Sequence, residues 1–191
     1  MGHKEDLLAG AKACLMERGY ANTTARDIVA ASHTNLASIG YHFGSKDALL
    51  TEAMIEMMGD WGGKFEAAAA EQKAKGSEAK FRAVWRQLFK LFETDRQLMT
   101  ASFEIAVQAV RSDELKAIFA ATYPEVRTEL PNDFLEIEGL DPKTCRAVGG
   151  LLLALISGVT VQYLLDPKGV PTADELTLAM KTIAKAFTAK S

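Results

Sequence analysis

Residues 24–43 read TARDIVAASHTNLASIGYHF. Two helical patterns, each too short to stand alone, flank the turn Ser32-His33-Thr34. In the first, Thr23 or Thr24 is placed to cap a helix through Ala31, with Asp27 near the positive helix end, where an anion is favoured. In the second, Asn35 caps a helix from Leu36 to His42 and Gly44 closes it. Ile28, Val29, Ile39 and Phe43 are spaced to hold both against a preceding helix, Lys4 to Arg18, whose Leu8, Ala11 and Leu15 share one face.

Working outward, the rest of the chain repeats the helical period. No run of four to eight residues alternates like a strand, so the fold class is all-α. Ser45 caps a fourth helix carrying Leu49, Leu50, Met54 and Met57 toward Trp61, with a helix-to-loop transition expected after Gly62 and Gly63. Helices from Glu78 to Thr94 and from Arg96 to Val110 follow, and another begins at Asp113. Pro124 and Pro131 each remove an amide from that last helix, so breaks or kinks are expected near them. Two long helices close the chain, Pro142 to Leu165 and Thr172 to Ala189; the short turn between them makes an antiparallel pair.

Composition excludes several classes. Of 191 residues, 48% are apolar and 25% charged, the balance of an ordinary globular protein. Cys14 and Cys145 sit inside helical patterns, which argues against a disulfide framework. His3, His33 and His42 lack metal-site spacing, so neither metal nor cofactor is expected. No nucleophile elbow, phosphate loop or histidine after residue 42 supports an enzyme. Ala147 to Leu165 approaches membrane-spanning length, but Asp166 and Pro167 end it and no second span exists, so a buried helix and no membrane partner are expected. No export signal is visible near the start, which points to the cytoplasm. The net charge is −3, and residues 1–50 are neutral, with five basic and five acidic side chains. Charge therefore announces no nucleic-acid partner, and that case rests on pattern.

The pattern is specific. Two short helices with a tight turn fit the helix-turn-helix, whose second helix enters the major groove while the first braces it. Leu36, Ala37, Ser38, Gly40 and Tyr41 are left pointing outward. Small residues let a backbone approach base edges, the Ser38 hydroxyl can donate or accept, and Leu36 can meet a thymine methyl. Tyr41, His42, Thr24 and Lys46 can reach phosphate oxygens.

Gly19-Tyr20, Thr24 to Ile28, and the run Asn35 to Leu50, with its tyrosine-histidine-phenylalanine followed by glycine-serine-lysine, resemble the TetR family over the first quarter of the chain. The departures are His33, where the family usually has glycine in the turn, Thr34, where it usually has a small aliphatic residue, and Gly40, where many members place a tyrosine. The resemblance implies a three-helix DNA-binding domain at 1–50 and a helical effector-binding and dimerisation domain at 51–191. It further implies a homodimeric repressor on a palindromic double-stranded operator, released by a small-molecule effector. The DNA-facing set is then Thr24, Asn35, Leu36, Ala37, Ser38, Gly40, Tyr41, His42 and Lys46. Trp61, Phe65, Trp85, Phe89, Phe92, Met99, Phe103, Glu104, Gln108, Phe119 and Tyr123 are the effector candidates, being large rings, a methionine and two polar anchors in one helical region. Leu151, Leu152, Leu155, Ile156, Val159 and Tyr163 form the expected dimer face. The alternative is a helical protein-interaction module without sequence-specific DNA binding.

Overall fold

The computed structural model describes residues 3–70 and 74–189, with the side chains of residues 65 and 68–70 outside that description. Among the described residues there are nine α-helices and no strand. They are α1 (His3–Arg18), α2 (Ala25–Ser32), α3 (Leu36–Phe43), α4 (Lys46–Ala70), α5 (Ser77–Thr94), α6 (Arg96–Ala109), α7 (Asp113–Leu135), α8 (Pro142–Leu165) and α9 (Ala173–Thr188). The chain divides into two compact units, Met1–Gly63 with Asp95–Ile118, and Lys64–Thr94 with Phe119–Ser191.

In the first unit α1 is the hub, packing on α2, α3 and α6. Leu7, Ala11, Cys14 and Leu15 of α1 are buried with Ile28, Ile39, Met54, Met57, Met99 and Ile105. Gly10 permits the closest approach: a Cβ there would lie 2.8 Å from Cβ of Ser32 and 3.0 Å from the Ile28 carbonyl oxygen. Lys12 pairs with Asp60 at 2.9 Å and Glu56 at 3.3 Å, tying α1 to α4. Helix α4 runs through Gly62 and Gly63 to Ala70, so the helix-to-loop transition expected after the glycines falls between Ala70 and Ser77. Each glycine costs about 1 kcal/mol relative to alanine but obstructs nothing, and the alanine-rich sequence beyond favours helix.

The second unit is built on rings. Phe81, Trp85 and Phe92 of α5 are buried with Phe134 of α7 and with Leu152, Ile156 and Val159 of α8. The Trp85 ring lies 6.2 Å from Phe81 and 6.0 Å from Phe134, both edge-on, as ring quadrupoles prefer. Arg82 and Arg86 meet Asp174 at 2.9 and 3.1 Å, and Lys181 meets Glu78 at 2.8 Å, pinning α9 to α5.

Of the break or kink expected at each proline, the break does not occur: α7 runs through Pro124 and Pro131. An interior proline costs about 3 kcal/mol because it leaves the carbonyl four residues back without its donor and crowds it. For Pro131 that carbonyl belongs to Arg127, and α8 comes to meet it at Gly149, where a Cβ would overlap the Arg127 oxygen. The glycine lets a Cα–H approach the freed oxygen, a weak hydrogen bond of the kind seen where helices touch. Burial of Leu130, Pro131 and Phe134 on the same stretch also offsets the cost.

Candidate nucleic-acid interface

Three caps set the geometry of the α2–α3 pair. Thr24 caps α2 in a capping box: its hydroxyl accepts from the Asp27 amide at 3.2 Å, and Asp27 accepts from the Thr24 amide at 2.9 Å. These bonds hold the Asp27 carboxyl below its usual range, helped by Arg18 at 3.0 Å. His33 takes the left-handed conformation, φ 54 and ψ 34, in which its amide donates to the Val29 carbonyl. A histidine accepts this geometry at a modest cost, so the turn needs no glycine. Asn35 Oδ1 then accepts from the Ser38 amide at 3.0 Å and starts α3.

The outcome is a helix anchored on one side and open on the other. Ile39 is 4% exposed, whereas Leu36 is 52% and Tyr41 86% exposed. Ala37 and Gly40 are also exposed, and Ser38 and His42 are half-buried. The Tyr41 and His42 rings meet edge-on at 4.9 Å. Nothing lies within 4 Å of the Cβ position at Gly40, so its lack of a side chain leaves a gap on the outer surface, not a packing contact.

Two of the expected phosphate contacts have structural work as well. The Thr24 hydroxyl is committed to Asp27 through the capping box. Lys46 Nζ donates to the Thr23 carbonyl at 3.3 Å and stands 5.9 Å from the Tyr20 ring centroid, bracing the start of α4 against the segment before α2. It also pairs with Asp47 at 3.5 Å; an ammonium has three donors, so these two partners leave one for a phosphate.

Glu104, read from sequence as an effector anchor, has a different environment. Its Oε2 accepts from the Tyr20 amide at 3.1 Å, and a Cβ at Gly19 would fall 2.6 Å from the same oxygen. Gly19 is at φ +73, a backbone conformation that favours glycine, and a side chain there would also displace this carboxylate. The partners are 84 residues apart, and no local signal in the sequence joins them. Glu104 also borders an apolar crevice with Leu15, Tyr20, Met54, Met57, Ala101 and Ile105, which is packed shut.

The remaining effector candidates divide between the two units. Trp61, Met99, Phe103 and Gln108 belong to the first; Trp85, Phe89, Phe92, Phe119 and Tyr123 belong to the second. The side chain of Phe65 lies outside the described residues. Trp85, Phe92 and Met99 are wholly buried, and Phe89, Phe103, Phe119 and Tyr123 are half-buried.

The expected dimer face on α8 divides in a similar way. Leu152, Ile156 and Val159 point into the second unit's own core, at 2, 8 and 3% exposure. Leu155 and Tyr163 are half-buried, and Leu151 is 61% exposed. The apolar composition all round α8 concealed this phase, because a helix hydrophobic on every side does not reveal which stripe is interior.

The second and third helices with this turn, followed by the two proline-bearing and apolar helices, match known sequences over most of the chain. A model of bacterial regulatory proteins of the tetR family matches residues 7–53, and one described as a BetI-type transcriptional repressor, C-terminal, matches residues 77–188. The chain belongs to the TetR family of transcriptional regulators. It is 29% identical over 136 residues to the HTH-type transcriptional repressor KstR2 of Rhodococcus jostii (strain RHA1), a match covering 71% of this chain and 61% of that relative. The chain thus spans less than two thirds of the relative's length. A putative transcriptional regulator of Streptomyces coelicolor A3(2), SCO7518, shares the fold with a TM-score of 0.70 at 24% identity, covering 98% of this chain and 99% of that one. The multidrug binding protein EbrR, solved with imidazole, has a TM-score of 0.72 at 20% identity, covering 96% and 95%.

Proposed function

We propose that this TetR-family chain is a sequence-specific, DNA-binding transcriptional repressor that acts as a homodimer in the cytoplasm and leaves its operator when a small molecule binds. The observation that carries the reading is α3, whose interior side is locked by Ile39 and the Asn35 cap while Leu36, Ala37, Gly40 and Tyr41 stand open. Bases would be read by Ser38 and Leu36, and phosphates held by Tyr41, His42, Asn35, Lys46 and the amide ends of α2 and α4. The repressor relative and the ligand-bound EbrR structure support the two halves of the reading.

Dimerisation follows from the outer face of α8. Ala147, Leu151, Ala154, Gly158, Val161 and Leu165 are exposed and alternate three and four residues apart, the spacing of a coiled-coil seam. On α9, Leu178, Ile183 and Phe187 are exposed at 64, 50 and 86%. A second copy would cover both rows, and two α3 helices about one helical turn of DNA apart would then read a palindrome. Helix α8 is also long and apolar enough to cross a membrane, with 28% of its apolar window buried; partner burial accounts for the same surface.

The test is binding of the purified protein to duplexes selected from its own genome, titrated against salt. Lys46→Ala should weaken all sequences alike and flatten the salt dependence by about one charge. Ser38→Ala should cost about 1 kcal/mol or more at one operator position only. Equal, sequence-independent losses in both variants would refute the assignment of α3.

A further inference from the structure

The helix-turn-helix segment is electrically neutral, and most of its cations are already engaged. Among the described residues of 1–50, Lys4 meets Glu52 at 2.9 Å, and Lys12 meets Asp60 at 2.9 Å and Glu56 at 3.3 Å. Arg18 meets Asp27 at 3.0 Å, and Lys46 meets Asp47 at 3.5 Å. Arg26 is the exception: it is exposed, and no carboxylate, carbonyl or ring among the described residues holds its guanidinium. Its neighbour Asp27 is committed to Thr24 and Arg18. Val29 and Ala30, three and four residues on, where a helical ion pair would form, carry no charge.

That placement is unfavourable within the fold. Arg26 is the second residue of α2, at the end where the helix dipole is positive and disfavours a cation. It lies on the face opposite Ile28, which is 0% exposed, so burial does not explain it either. The same end of α2 gathers two of the proposed phosphate contacts: Thr24 caps it, and Lys46 reaches back to the Thr23 carbonyl at 3.3 Å. An exposed, unpaired cation held against its own helix dipole is stabilised by an anion from outside the chain. A guanidinium meets a phosphate through two parallel N–H···O bonds, a geometry that an ammonium lacks.

We propose that Arg26 is a further DNA-contacting residue, a phosphate clamp on α2 that brings to the DNA backbone a positive charge not offset within the protein. It positions the chain on the duplex without reading bases, since phosphate oxygens are alike in every sequence. The inference rests on the reading of the chain as a DNA-binding regulator and names a side chain that supplies its electrostatic attraction.

The full-length protein is titrated by fluorescence anisotropy against a genome-selected operator and a scrambled duplex of equal length, across a series of potassium chloride concentrations. Arg26→Gln should weaken both duplexes alike, by about five- to tenfold at about 0.1 M salt, and lower the slope of log affinity against log salt by about 0.9. Arg26→Lys should keep the slope and lose part of the affinity, and Arg26→Glu should flatten the slope further. Thermal unfolding separates this role from a structural one: Arg26→Gln and Arg26→Glu should melt at or above the wild-type temperature, because each relieves the helix end. An unchanged slope in Arg26→Gln, a loss confined to the operator, or a loss that tracks a lowered melting temperature would overturn the proposal. Wild-type protein that binds neither duplex would refute the DNA-binding reading itself, whereas wild-type binding that Arg26→Gln leaves untouched refutes the clamp alone.

Discussion

The helix-turn-helix and the second unit are both helical, but the turn geometry of the first is set by bonds between near neighbours, while the helices of the second are joined by contacts between distant ones. In the head, Thr24 with Asp27, Asn35 with Ser38, and Ser45 with Ala48 are pairs three residues apart. In the second unit, Arg86 reaches Asp174 across 88 residues, Lys181 reaches Glu78 across 103, and Gly149 meets the Arg127 carbonyl. A head specified by local bonds keeps its shape while its outer face varies. A unit specified by distant packing is sensitive wherever two helices touch.

The largest effect expected from that contrast is at Gly149. A Cβ there overlaps backbone, not a side chain that can swing away, so Gly149→Val should cost 3 kcal/mol or more, in order-of-magnitude terms. Gly40→Ala on α3 meets nothing within 4 Å and should leave thermal unfolding unchanged or slightly improved. Chemical denaturation of the two variants side by side measures the difference; equal stability would erase the contrast.

Next in size is the outer seam of α8. Leu151→Glu places a charge on an exposed position, so the isolated subunit should keep its helical signal while the dimer weakens, by roughly a hundredfold or more, through burial of an unpaired charge. Leu152→Ala, on the interior phase, should instead lower stability by about 2–5 kcal/mol. Sedimentation and melting together separate the two phases.

A smaller effect is expected where α6 meets the end of α1. Glu104→Ala removes the acceptor of the Tyr20 amide, so operator affinity should fall several-fold, about 1 kcal/mol. Glu104→Gln keeps an acceptor oxygen and should restore most of it. If both variants bind alike, the contact does not position the head.

The smallest effect is a pH dependence within the cap of α2. The Asp27 carboxyl is lowered by its bonds to Thr24, so its stabilisation is fully present above the unfolded carboxylate range and is lost as pH falls through the folded value. Asp27→Asn should therefore destabilise the protein at pH 7 and approach wild type only once pH has fallen below the lowered folded value. A variant difference independent of pH would show that the carboxylate charge is irrelevant to the cap.

The same contrast explains what could be read from sequence. The caps at Thr24, Asn35 and Ser45 and the closing Gly44 all depend on neighbours within five residues, and each was legible, whereas the left-handed turn at His33 was not, because a histidine does not announce that conformation as a glycine would. Helices α8 and α9 were legible from Pro142 at the start of one and the Thr172–Glu175 box at the start of the other. The continuity of α7 was not, because the group that answers Pro131 sits on another helix at Gly149. The partner of Glu104 was hidden for the same reason. The inward phase of Leu152, Ile156 and Val159 was hidden by a helix apolar on all sides.

The most direct test of the account is a fluorescence-anisotropy titration of Tyr41→Ala and Ser38→Ala against a genome-selected operator and a scrambled duplex of equal length. With α3 in the groove, Tyr41→Ala weakens both duplexes through a lost phosphate contact, while Ser38→Ala weakens the operator about fivefold or more and leaves the scrambled duplex unchanged. Wild-type affinity for both duplexes in both variants would contradict the central claim that the open face of α3 reads DNA.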